Sequence, residues 1–212
     1  IIGNINVLNA CREASVKRYV YASTVYVHSQ HGGFYRCSKQ AAEQFIEEFQ
    51  KSYGLDFTIL RYGSLYGPRS DNHNGLFRVV RDALMNGYVS YKGPRDTMRE
   101  YVHVDDAAAA TVTTLDDSFS NHHVVVTGQE AMKVEDLLKM LAEILDYSQD
   151  IKFVEDEEPP GHYLRTPYAH SKRTRIGKKF IPPLHVDLGQ GLVDLIEYVS
   201  NMQHETPSKD SA

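Results

Sequence analysis

The sequence predicts an α/β fold, a doubly wound parallel sheet followed by a smaller C-terminal unit. Three observations predict it. Short β-branched or aromatic runs alternate with stretches of 3.6-residue apolar period along most of the chain. The run Phe57-Thr58-Ile59-Leu60-Arg61-Tyr62 is nearly all apolar, as suits a strand covered on both faces. The loop Gly63-Ser64-Leu65-Tyr66-Gly67-Pro68-Arg69 then falls at that strand's carboxyl end, where open α/β sheets hold their ligands.

Taken in order, residues 1–14 predict a helix with an apolar stripe of Ile2, Ile5, Val7, Leu8 and Cys11. Residues 18–22 predict a strand that ends in two hydroxyls, Ser23 and Thr24. Gly32-Gly33 breaks the chain, and from Ser38 Ala41, Ala42, Phe45, Ile46 and Phe49 mark a helix that Gly54 stops. Leu76, Val79, Val80, Ala83 and Leu84 mark the next helix, ended by Asn86-Gly87. Strands are predicted at 88–92 and 99–103, the latter placing Arg99, Tyr101 and His103 on one side. Asp105-Asp106 is suited to cap the Ala-rich helix that follows. A strand at 123–126, a helix at 134–145 and an edge strand at 151–154 come next. Residues 156–160 read as an acidic linker, 161–183 as a basic irregular region, 188–202 as the last helix, and the end as a disordered tail.

Composition narrows the function. The chain has 212 residues, enough for one large domain or a domain with an annex, and a net charge of −5. That charge argues against sequence-independent nucleic-acid binding. The two cysteines, Cys11 and Cys37, make no disulfide framework, and Cys37 reads as a small filler. The ten histidines never fall at HxxxH or HxxH spacing, so no metal is expected. No apolar run reaches the length of a membrane helix and no signal peptide opens the sequence, so a cytoplasmic location is expected.

The chemistry gathers at Tyr35 and Lys39, four residues apart and so on one helical face. Tyr-x-x-x-Lys also occurs at Tyr88/Lys92 and Tyr168/Lys172, but only the first pair follows a hydroxyl-tipped strand and opens an amphipathic helix. A phenol with pKa near ~10 is a sluggish base at neutral pH. A nearby ammonium favours its phenolate, which then takes a proton from a substrate hydroxyl. Thr24, with Ser23 as the fallback, would hydrogen-bond the oxygen where charge develops.

NVLNACREASVKRYVYAST, FYRCSKQAAEQF, ILRYGSLYGPR and REYVHVDDAAAA together resemble the extended short-chain dehydrogenases/reductases, and within them the NAD-dependent epimerase/dehydratase family that acts on nucleotide sugars. The resemblance implies a partial Rossmann-like domain over 1–130 with substrate-loop insertions at 64–98, a substrate-binding subdomain over 131–202, and a tail at 203–212. It implies NAD, with NADP not excluded, as cofactor. Tyr35, Lys39 and Thr24 take the catalytic positions; Tyr35, Lys39, Tyr62 and Ala22 adjoin the cofactor; Ser64, Arg99 and Tyr101 adjoin the substrate. A homodimer through helices 1–14 and 38–53 is also implied. Gly63-Ser64 replaces a more usual Phe-Asn, and Val25-Tyr26 replaces the Asp-Glu of 4,6-dehydratases, which favours epimerisation or ketone reduction over dehydration. The sequence carries no GxxGxxG or GxGxxG turn for a pyrophosphate. The alternative in a different class is a binding remnant without turnover.

Overall fold

The structure is a computed structural model that describes residues 1–29, 32–129, 131–148, 151–154, 177–183 and 185–205. The elements run α1 (Ile2–Glu13), β1 (Arg18–Thr24), a 3₁₀ turn (Val25–His28), α2 (Gly33–Tyr53), β2 (Asp56–Tyr62), β3 (Ser64–Tyr66), α3 (Gly75–Asn86) and β4 (Ser90–Lys92). They continue with β5 (Met98–Arg99), β6 (Tyr101–His103), α4 (Val104–Thr113), β7 (His122–Val126), β8 (Met132–Lys133), α5 (Val134–Ile144), β9 (Lys152–Val154), β10 (Lys178–Phe180) and α6 (Leu188–Glu205). The main sheet has the order β1-β2-β7-β10, with every pairing parallel. Arg18 lies opposite Asp56 and Thr24 opposite Tyr62, so β1 and β2 end level with each other.

Strand β2 shows how both faces of that sheet are filled. Its alternate residues Phe57 and Ile59 pack with Leu8, Ile46, Phe49 and Leu55 under α1 and α2. Leu60 turns the other way, to Val102, Ala107, Ala110, Val124 and Val126 under α4. Helices on both faces of a parallel sheet are the doubly wound arrangement that the apolar strand run predicts. A third cluster joins α3, α5 and α6 through Phe77, Val80, Leu137, Leu141, Leu192 and Leu195. Each such side chain contributes roughly 1.5–3 kcal/mol by leaving water.

Several expectations are corrected. Helix α2 begins at Gly33 rather than Ser38, so Tyr35 and Lys39 both lie inside it. The predicted strand 99–103 is two strands in different sheets: β5 runs antiparallel to β8, and β6 parallel to β3. The loop predicted at 63–69 therefore contains a strand, and Gly63 permits the close approach: a Cβ there would stand 2.6 Å from the Glu100 carbonyl oxygen. His103, not Asp105 or Asp106, caps α4 by accepting from the Asp105 N–H. The region predicted irregular at 161–183 contains β10, which extends the main sheet. Helix α6 continues to Glu205, past the predicted start of the tail. The predicted linker 156–160, Tyr168/Lys172 and residues 206–212 lie outside the described residues.

Candidate active site

The site forms where β1 ends and α2 begins. Gly32 (φ +132°) and Gly33 (φ +51°) take left-handed backbone that other residues adopt at a cost, and the helix starts on them. Tyr35 stands in the first turns of α2, 44% exposed. Lys39, one turn on, reaches back to the strand, and its Nζ donates to the Ala22 carbonyl at 2.8 Å. The same ammonium sits 5.9 Å from the centre of the Tyr35 ring and 4.9 Å from that of Tyr21. Lys39 thus links Ala22 of β1 with the Tyr35 ring of α2.

The two hydroxyls at the strand tip have different jobs. Thr24 is buried, and its Oγ1 accepts from the Tyr26 N–H at 3.3 Å, capping the 3₁₀ turn. That bond uses a lone pair and leaves the hydroxyl proton for donation. Ser23 donates to Glu43 Oε1 at 2.6 Å. Ser23, the fallback for the hydroxyl role, is buried like Thr24 and has its hydroxyl committed to the Glu43 carboxylate.

Glu43 opens the part of the site that sequence reading passed over. It lies one turn beyond Lys39 and is buried. Its carboxylate takes Arg61 in a two-pronged contact, Nε to Oε1 at 3.0 Å and Nη2 to Oε2 at 2.7 Å. Arg61 is wholly buried, and its Nη1 is 3.1 Å from His28 Nε2. A guanidinium only donates, so that imidazole nitrogen is the acceptor. Two more side chains of α2 hold the same segment: Gln40 donates to the Val27 carbonyl at 2.7 Å and Arg36 to that of Ser29 at 3.0 Å. One signal was available in the sequence, an arginine within an otherwise nearly apolar strand run.

Burial shifts two of the titrating groups at this end of α2. Tyr21 is pushed up to about 12, first by burial and then by Tyr19, Glu43 and Tyr35, so it stays protonated at neutral pH. Lys39 is held below the ordinary lysine value, mainly by burial, while Glu43 pulls it back up.

The remaining predicted residues divide into two groups. Ser64 and Tyr101 are cross-strand partners on β3 and β6, with Ser64 N–H donating to the Glu100 carbonyl at 2.8 Å. Arg99 lies on β5, two residues before Tyr101, buried, with Nη1 donating to the Met98 carbonyl at 3.3 Å. Tyr62 is not brought to Tyr35 and Lys39 by its hydroxyl, which is bonded to Thr111 of α4 on the other sheet face. A cavity of about 210 Å³ is lined by Tyr66, Tyr101, His103, Asp106, Gln129 and His185 among others, but not by Tyr35, Lys39 or Thr24. Among the described residues there is no cluster of three or more metal-ligating side chains, and no helix is long and apolar enough to cross a membrane.

Comparison with known proteins gives this geometry a family. The chain is 25% identical over 219 residues to a putative UDP-glucose 4-epimerase of Methanocaldococcus jannaschii, covering 95% of this chain and 69% of that one. It is 25% identical over 178 residues to a dTDP-glucose 4,6-dehydratase of Mycobacterium tuberculosis, covering 84% and 53%. Its fold superimposes on the UDP-glucose 4-epimerase of Thermotoga maritima with a TM-score of 0.76 at 24% identity, covering 96% of this chain and 70% of that one. For the UDP-glucuronic acid 4-epimerase of Bacillus cereus, solved with UDP-glucuronic acid and NAD, the TM-score is 0.80 at 21% identity, covering 95% and 67%. The chain thus spans from about half to about seven tenths of the length of these proteins. The model of the NAD dependent epimerase/dehydratase family matches residues 1–127, and the chain belongs to that family.

Proposed function

We propose that this chain supplies the proton-transfer and sugar-nucleotide-binding part of an NAD-dependent nucleotide-sugar epimerase. One observation carries the reading: Tyr35 and Lys39 lie one turn apart on α2, and the Lys39 ammonium is fixed at the tip of β1, where the Thr24 hydroxyl keeps a proton to donate. Tyr35, as phenolate, takes the proton of a ring hydroxyl as hydride leaves the same carbon for NAD, and returns that proton to the carbonyl oxygen of the reoriented keto sugar as hydride comes back to the carbon's opposite face. Thr24 donates to the oxygen that bears developing charge. Lys39 stabilises the phenolate.

The residues fit the nicotinamide-ribose end of NAD. An ammonium has three donors, and a single carbonyl takes one of them here, leaving Lys39 able to hold ribose hydroxyls beside exposed Ala22. Bound NAD would supply the hydride acceptor and donor. Arg99 offers a planar fork of donors for phosphate oxygens, with Ser64 and Tyr101 alongside. Relatives named for UDP-sugar epimerisation and crystallised with UDP-sugars support that substrate class.

We also assign self-association to α1 and α2, whose outer faces expose Ile1, Ile2, Val7 and Phe45. The test of function is to mix the purified chain with NAD and a panel of UDP- and GDP-sugars. Cofactor binding with epimer formation supports the reading. No cofactor binding and no epimer, even at high NAD, would turn the reading to a binding protein without turnover. Sedimentation of the same sample reports the dimer.

A further inference from the structure

The buried charges beneath α2 are unexplained by the proton-transfer scheme above. Arg61 and Glu43 are almost wholly enclosed, and taking two charges out of water costs more than their attraction commonly returns. Well-packed apolar side chains at these positions would serve the core at least as well, so stability alone does not account for the pair. Its placement is informative. Glu43 sits one helical turn after Lys39 and two after Tyr35, and it accepts the hydroxyl of Ser23, the residue before Thr24. We infer that Glu43 is a positioning residue: clamped by Arg61, it ties the end of β1 to α2 through Ser23 and, one helical turn from Lys39, places a fixed anion beside that ammonium. This rests on the functional reading above for what the positioning is for, but the tie itself is a property of the chain.

The clamp acts in two ways. Mechanically, Ser23 is held by Glu43, while Gln40 and Arg36 of the same helix hold Val27 and Ser29 on the far side of Thr24. Thr24 is therefore anchored on both flanks to the helix that carries Tyr35. Electrically, the groups facing Lys39 are Tyr21 from β1 and Tyr35 and Glu43 from its own helix. Arg61 of β2 and His28 of the 3₁₀ turn stand behind Glu43. Glu43 is the anion among them, opposing the burial that favours loss of the lysine's proton.

The experiment is an NMR titration of the Lys39 side chain, read on the chain as it stands, with amide hydrogen exchange over residues 22–26. In Glu43→Gln the Lys39 midpoint is expected to move to lower pH than in the wild type, and exchange at 22–26 to speed up by roughly tenfold, the scale of one lost charged hydrogen bond. Ser23→Ala should reproduce the exchange effect and leave the Lys39 midpoint near its wild-type position. Because Glu43→Gln strands the Arg61 charge, the double variant Glu43→Gln/Arg61→Met removes both charges and keeps the titration readable. A Lys39 midpoint unmoved in the folded double variant, or unchanged exchange at 22–26 in Ser23→Ala, overturns the assignment. Neither readout depends on turnover, so failure of the chain to epimerise a sugar would count against the function and not against the clamp.

Discussion

In the cluster of α3, α5 and α6, Leu137, Leu141, Leu192 and Leu195 are enclosed side chains made wholly of hydrocarbon. Beneath α2, the enclosed side chains include Ser23, Thr24, His28, Glu43 and Arg61 as well as Ile46 and Ile59. The first region gains from apolar burial, which is non-directional and tolerates small shifts. The second depends on charge-assisted hydrogen bonds, which demand particular distances and angles. Both regions bury apolar surface, but only the second also carries a buried, directionally bonded set of polar side chains.

The sharpest way to break this contrast is Tyr35→Phe. If the α2 site works as proposed, turnover falls by about 10²–10⁴-fold, the usual range for a general acid–base group. The fold is expected to be unaffected, because Tyr35 is half-exposed. Steady-state kinetics and thermal melting check the two halves, and wild-type turnover in this variant would remove Tyr35 from the mechanism.

Next in size is Glu43→Ala, which leaves the Arg61 guanidinium buried without its partner and should cost about 3–5 kcal/mol. Removing both charges in Glu43→Gln/Arg61→Met should recover most of that loss. Equilibrium denaturation of the three chains separates the outcomes. A double variant no more stable than Glu43→Ala would mean the pair is needed for folding itself and not chiefly for placement.

For the apolar region, Leu141→Ala should cost about 2–5 kcal/mol, by lost burial plus a cavity. No companion substitution should rescue it as Arg61→Met rescues Glu43, since no partner is left unsatisfied. Urea midpoints at constant slope provide the measurement.

The smallest effect is one of pH. Lys39 is held below the ordinary lysine value of 10.5, mainly by burial, with Glu43 opposing. Its pKa is thus lower in the folded chain than in the unfolded one. As pH rises between those two values the unfolded chain holds the extra proton, so Lys39's contribution to stability increases. Turnover should move the opposite way over the same range, because the phenolate loses its neighbouring cation. Parallel melting and rate profiles in the alkaline range test this, and a rate that climbs steadily through it would contradict a role for the ammonium.

How much of this was legible in the sequence follows the same division. The strand–helix alternation and the Tyr35/Lys39 spacing are periodic signals, and period is what a sequence records well. The pairing of β3 with β6 is not periodic: it joins three-residue strands 37 positions apart, Ser64 to Tyr101, and depends on Gly63 for room. Glu43 was hidden for a different reason. A glutamate one turn after a lysine reads as a solvated i,i+4 pair, and only the fold reveals that Arg61 arrives from β2 to meet it. His103 as the cap of α4 was masked by Asp105-Asp106, residue types that cap helices far more often.

The attachment of residues 22–29 to α2 by Lys39, Glu43, Gln40 and Arg36 has a dynamic consequence. Since α2 also bears Tyr35, any rocking of that helix carries the strand tip along with it. The phenol and the Thr24 hydroxyl would then travel as one rigid body, their separation preserved while the surroundings breathe.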